Sequence, residues 1–128
     1  MTTAYVDASA LVKLIIDEED APALRRFLEA FDEPVTSRIG IMETMRVLAR
    51  ASVDAAGSDR TLNPIAPVEI DSAIAATAAV LAPSSLRTLD AIHLATALAL
   101  YHVDAFVTYD RRLADAARAV GLTVASPA

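Results

Sequence analysis

Asp7, Glu43, Asp90 and Asp110 each stand in a short segment that is otherwise apolar, where a solvated surface charge is not normally placed. Gathered at one place, four hard oxygen donors suit Mg²⁺ or Mn²⁺, ions that keep several waters and take one or two carboxylates each. Such an ion polarises a phosphodiester and lowers the pKa of a bound water, giving a hydroxide nucleophile without any Cys or His. The chain has 0 Cys, which excludes disulfides, thiolate metal sites and Cys nucleophiles. A plainer reading competes with the acidic pocket. Carboxylates cap helix N-termini and favour first turns, and among 17 acidic residues several will fall there without any further purpose.

The elements around these acids must bring them together. Residues 3–7 read as a strand that ends at Asp7, followed by a helix over 8–16. A second helix is expected over about 21–31, with Pro22 tolerated in its first turn and Pro34 ending it. Val35-Thr36-Ser37 reads as a short strand, and a helix bearing Glu43 follows to about residue 55. Turn chemistry at Gly57, Ser58 and Asp59 predicts a loop over 56–60, and Pro64 and Pro67 allow at most a short edge strand over 63–68. Helices are expected over 70–81 and 89–101, the latter with Asp90 in its first turn. An apolar strand over 105–108 meets Asp110, a helix over 113–120 closes at Gly121, and a last strand covers 122–125. Alternation at this spacing predicts one domain over residues 1–128, a three-layer α/β/α fold with a central, mainly parallel sheet of four to five strands. Carboxyl ends of parallel strands share one edge, where ligands bind, and Asp7 and Asp110 both follow strands.

The bulk numbers narrow the class. The chain is 55% hydrophobic with only 3 Gly, which suits a helix-rich globular protein. Its richest apolar stretch, residues 91–100, contains His93 and is shorter than the roughly 18 residues of a membrane span. No secretory signal stands at the N-terminus, so a soluble cytoplasmic protein is expected. The net charge of -6 argues against holding nucleic acid by bulk attraction. It leaves room for a nuclease, because metals bound by carboxylates make the site itself attract phosphate. Of the 11 basic residues only Lys13 is a lysine, and Arg suits bidentate phosphate contacts.

The passages carrying the acids are Tyr5-Val6-Asp7-Ala8-Ser9-Ala10-Leu11-Val12-Lys13-Leu14, Thr36-Ser37 followed by Glu43 and Arg46, Leu89-Asp90-Ala91-Ile92-His93-Leu94-Ala95-Thr96-Ala97, and Val107-Thr108-Tyr109-Asp110-Arg111-Arg112-Leu113. In order and spacing they resemble the PIN-domain ribonucleases, and more closely the VapC toxins of bacterial toxin–antitoxin pairs. That resemblance implies a catalytic metal site made of Asp7, Glu43, Asp90 and Asp110, with Mg²⁺ or Mn²⁺ as cofactor and RNA as substrate. It also implies a homodimeric toxin inhibited by a cognate antitoxin protein. Ser9 and Thr108 are secondary candidates beside the ligands, and Asp115 could fill the place of a further acid in the last helix or simply be solvated. The family's pattern often has a more polar stretch where Arg38-Ile39-Gly40-Ile41-Met42 stands, and Gly40 weakens helix propensity there.

Among the remaining residues, Arg46 is three beyond Glu43 and could steady that carboxylate, touch a phosphate, or form an ordinary surface pair. Arg111 and Arg112 could contact substrate phosphates or be solvated. His93 is read as structural, His102 and Lys13 as surface residues, and Met42 and Met45 as core or dimer surface. Three alternatives accompany the nuclease reading. A receiver-like Mg-binding signalling module needs a lysine after a late strand, and none follows Lys13. A haloacid-dehalogenase-type phosphatase needs an Asp where Ser9 stands. A catalytically inactive PIN-like protein-binding domain would keep the fold without the chemistry.

Overall fold

Residues 1–54 and 57–128 are described by a computed structural model of the chain. The first strand, β1 (Thr3–Val6), is followed by helices α1 (Ala8–Ile16) and α2 (Ala21–Glu29), then β2 (Glu33–Ser37) and α3 (Arg38–Arg50). The chain continues through α4 (Ser58–Leu62), β3 (Ala66–Val68), α5 (Ser72–Val80), α6 (Thr88–Ala99), β4 (Ala105–Val107), α7 (Arg111–Ala119) and β5 (Val124–Ala125). All five strands are parallel, in the order β3-β2-β1-β4-β5. The α/β/α architecture is the one expected.

Period-two alternation in β1 divides the core into two layers. Ala4 and Val6 pack with Leu11, Leu14 and Leu24 of α1 and α2 on one face of the sheet. Tyr5 points to the other face and packs with Phe106, Leu94 of α6 and Leu113 of α7. Because the sheet is covered on both faces, Ala4–Val6 of β1 and Ala105–Val107 of β4 form uninterrupted apolar runs, as buried parallel strands do. The expected edge strand is β3, which supplies one border of the sheet.

Three expectations shift. The loop predicted over 56–60 is in part a helix, since α4 begins at Ser58. Gly57 and Asp59 are as compatible with a helix start as with a turn, and Leu62 packs against the first core layer. The helix predicted to run to about 55 ends at Arg50, and Ser52 adopts φ 54°, outside the helical region; the predicted end itself lies outside the described residues. Pro34 lies inside β2, opposite Ala4, while α2 has already ended at Glu29. Strand β3 joins β2 only from Val35 onward, so no β3 ladder is lost for want of the Pro34 N–H. Among the described residues no helix is long and apolar enough to cross a membrane.

Candidate active site

Strand order decides the location of the site. β1 and β4 are neighbours, so the residues that follow them, Asp7 and Asp110, emerge side by side at the carboxyl edge of the sheet. Glu43 reaches this edge from α3, which starts directly after β2, and Asp90 from the first turn of α6. All four acids line one open cavity of about 430 Å³, together with Ser9, Lys13 and His93 among others.

Asp7 is both a helix cap and a pocket residue, so the two readings of it are compatible. Its Oδ1 accepts from the Ala10 N–H at 3.0 Å and from Ser9 Oγ at 2.7 Å. Its Oδ2 accepts from Thr108 Oγ1 at 2.5 Å. The residue is 2% exposed, and burial raises its carboxyl above the ordinary carboxylate range while the Thr108 and Ser9 hydroxyls oppose that rise. The same hydroxyls reach the β4 side of the pocket. Thr108 Oγ1 accepts from the Asp110 N–H at 3.1 Å, and Ser9 Oγ accepts from the Tyr109 N–H at 2.9 Å. Ser9 and Thr108 thereby tie Asp7 to the loop that carries Asp110.

Asp110 caps α7, its Oδ1 accepting from the N–H groups of Arg112 at 2.9 Å and Leu113 at 3.3 Å. Asp90 has no hydrogen-bond partner among the described residues. Burial raises its carboxyl, and the neighbouring charge of Asp110 raises it further, with a smaller push from Glu43 and opposition from His93 and Arg87. These acids therefore act on one another electrostatically. Glu43 Oε1 is bound by His93 Nε2 at 2.7 Å.

The model of the PIN domain family matches residues 4–119, the span that contains every one of these groups. The chain belongs to the PIN domain family. It is similar to Ribonuclease VapC46 of Mycobacterium tuberculosis, with 39% identity over 129 residues and 99% of each chain covered. Of solved structures, Mycobacterium tuberculosis VapC20, described as a Sarcin-Ricin loop cleaving toxin, superposes with a TM-score of 0.73 at 16% identity, covering 97% of this chain and 99% of that one. A chain of a toxin–antitoxin complex from Klebsiella pneumoniae gives 0.74 at 23% identity, with 98% of each chain covered. These two likenesses bear on the fold.

The donor set of this PIN domain fits a hard divalent cation. Asp7, Glu18, Glu43, Asp90 and Asp110 line the pocket against the single ammonium of Lys13, which already pairs with Glu18 at 3.0 Å and Asp20 at 3.4 Å. Burial first and the charges of Asp110 and Glu43 second raise the Asp90 carboxyl, and a bound cation would offset that penalty on its charged form. Among the described residues no three His, Asp or Glu side chains form a ready-made cage. An ion that keeps its waters and takes one or two carboxylates does not need one.

Other candidates are sorted by position. Arg46 is exposed, makes no hydrogen bond or ion pair among the described residues, and does not line the pocket. Asp115 is exposed, pairs with Arg118 at 3.4 Å, and lies outside the acidic pocket. Arg112 borders an adjoining cleft together with Arg87 and Asp90, and Arg111 a third cavity beside Asp110. His102 is an exposed partner of Asp104, as expected, whereas Met42 and Met45 are exposed and so not core. Lys13 corrects the surface reading: its side chain is only 12% exposed, lies over the Tyr109 ring at 4.5 Å and borders the pocket. Acids at positions 18 and 20, where the chain turns back after α1, draw it inward. Tyr5 escaped the sequence reading because it looks like an ordinary core residue of a strand. Its hydroxyl lies 2.6 Å from His93 Nδ1.

Proposed function

We propose that this PIN domain, one domain over residues 1–128, is a divalent-metal-dependent endoribonuclease and the toxin of a type II toxin–antitoxin pair. The observation that supports it best is the convergence of Asp7, Glu43, Asp90 and Asp110 on one pocket at the carboxyl edge of the sheet. Those four side chains would hold Mg²⁺ or Mn²⁺, which when bound supplies Lewis acidity toward a phosphodiester and a water of lowered pKa. Asp7 is the rigid member, its oxygens held by Thr108, Ser9 and the Ala10 N–H. The Asp90 carboxylate lines the same pocket and makes no hydrogen bond among the described residues, so it would be available to hold the ion or one of its waters. Similarity to Ribonuclease VapC46 supports RNA as substrate, and similarity to a chain of a toxin–antitoxin complex supports a cognate antitoxin as partner. A homodimer is the state that the resemblance to VapC toxins implies, and its interface is open to test by the oligomeric state of the purified protein. Acting on RNA and held by an antitoxin, it would work in the cytoplasm.

The purified protein is expected to cut RNA endonucleolytically with Mg²⁺ or Mn²⁺, to stop on chelation and to resume on adding the ion back. Cleavage that persists undiminished in excess chelator would sink the metal-dependent reading. Mapping new 5′ ends after induction identifies the cellular target.

A second expectation concerns substrate grip. With a net charge of -6, attraction for RNA must be local, and Arg87 and Arg112 flank Asp90 in a cleft of about 440 Å³ adjoining the acidic pocket. Replacing both by Ala is expected to raise KM for RNA and to leave kcat nearly unchanged. Each lost phosphate contact should reduce the slope of log KM against log salt by about 0.7, the single-strand value. An unchanged salt slope would remove these two arginines from the RNA path.

A further inference from the structure

Glu43 is the one acid of the pocket carried on the interior of a helix, by a side chain with several rotatable bonds. Its setting is nonetheless closed on one side. His93 Nε2 lies 2.7 Å from Glu43 Oε1, His93 Nδ1 lies 2.6 Å from the Tyr5 hydroxyl, and the Ser37 N–H donates to that hydroxyl at 3.2 Å. Tyr5 is fully buried and His93 is 2% exposed. The rings are fixed by packing: Tyr5 stacks on Phe106 at 5.0 Å between centroids and meets His93 edge-on at 5.8 Å.

The direction of each bond follows from the inventory of protons. A ring nitrogen facing a carboxylate oxygen must carry hydrogen, so Nε2 donates to Glu43. The Tyr5 oxygen already accepts from the Ser37 N–H, and its own hydroxyl proton lies on the side of His93. That proton is then available to Nδ1, which accepts it. The arrangement selects the neutral imidazole protonated at Nε2, much as a partner at one nitrogen sets the role of the other in metal sites.

We infer that Tyr5 and His93 are positioning residues, which anchor Glu43 Oε1 through a hydrogen-bond chain running from the Ser37 backbone across β1, α6 and α3 and so hold the carboxylate at the pocket it lines. This rests on the proposed metal-dependent reaction. The chain joins residues 88 and 50 positions apart, so it locks the helix bearing Glu43 to the sheet edge bearing Asp7. Gly40 belongs to the same device, because a Cβ there would stand 3.2 Å from His93 Cε1.

Long-range ¹H–¹⁵N spectra of the metal-free wild-type protein are expected to show His93 protonated at Nε2 and bare at Nδ1. A proton on Nδ1 would overturn the chain. Removing a direct partner of a metal ligand usually costs about 10- to 100-fold in affinity, the loss expected of His93→Leu in a titration with Mn²⁺ alone; Tyr5→Phe, which deletes the hydroxyl one bond further back and keeps the ring, is expected to lose less, roughly several-fold. Its kcat is expected to fall while KM for RNA holds. His93→Gln, whose amide N–H can still reach Glu43, should retain more affinity than His93→Leu. If His93→Leu fails to fold, Tyr5→Phe and the spectra decide. Folded Tyr5→Phe with wild-type Mn²⁺ affinity and kcat would refute the inference. Should wild type bind Mn²⁺ and cut no RNA while Tyr5→Phe still binds the ion more weakly, the nuclease reading fails and the positioning role stands.

Discussion

Asp7→Asn is expected to abolish Mg²⁺-dependent RNA cleavage, and the growth inhibition it causes, in a protein that remains folded. Loss of a partner behind a metal ligand commonly costs 10- to 100-fold, so loss of a ligand charge should cost at least about 100-fold. The fold should tolerate the change for two reasons. Asn is as good an N-cap as Asp, so α1 keeps its start. Burial also makes the charge itself a burden, and the linkage has a definite sign. Since the folded-state carboxyl is raised, its contribution to stability is fully present below the ordinary Asp value and is lost as pH rises through the folded value. At neutral pH metal-free wild type carries that loss and Asp7→Asn does not. The variant should therefore melt no lower than wild type at pH 7, with a melting temperature that depends less on pH. Cleavage retained by pure Asp7→Asn would remove Asp7 from the reaction, and a melting temperature well below wild type would contradict the account of its burial.

The second large effect is expected at Gly40. By helix propensity alone Gly40→Ala should stabilise α3 by about 1 kcal/mol. The tertiary setting reverses the sign. A Cβ at this position would clash with Thr36 Oγ1, an atom on a short, fully buried side chain of β2, and would lie 3.2 Å from His93 Cε1. Neither neighbour has room to withdraw, since His93 is bonded at both nitrogens. Overpacking of this kind costs about 1–3 kcal/mol and an approach this close belongs in the upper half of that range, so the balance is a net destabilisation of roughly 1–2 kcal/mol. That corresponds to a fall of about 2–10 °C in melting temperature for a chain of this size. Because part of the strain falls on His93, activity should drop along with stability. An unchanged or higher melting temperature would show that the approach of α3 to β2 is looser than described. Gly40 was legible as a departure from the family pattern and as a weak helix former. What it permits, the close seat of α3 on β2 and α6, was not.

Much of the architecture could be read from residue order because its signals are local. The bounds of α1 follow from an apolar run, an Asp and a helix-forming stretch within a few residues, and the structure reproduces the predicted span of 8–16. Asp7 and Asp110 as caps, Gly121 at φ 90° closing α7, and a short edge strand after Pro64 belong to the same class. Misjudged positions are those where one local signal serves two structures. Gly57-Ser58-Asp59 opens a turn or a helix with equal ease, and packing of Leu62 and Ile65 settled which. Lys13 looked solvated because the acids that draw it in lie beyond the end of its own helix.

The sequence by itself determined the kinds of donors available, four carboxylates and no thiol, and the strand-to-helix junctions that present two of them. Only the tertiary structure decided that they share a pocket. That depends on β1 and β4 being neighbours although α1, α2, β2, α3, α4, β3, α5 and α6 intervene, and on α3 and α6 meeting at the same edge. The hold of Tyr5 and His93 on Glu43 is of the same kind. Capping and propensity act over a few residues, whereas a hydrogen bond between positions 88 apart exists only once the sheet order and two layers of packing have placed its ends together.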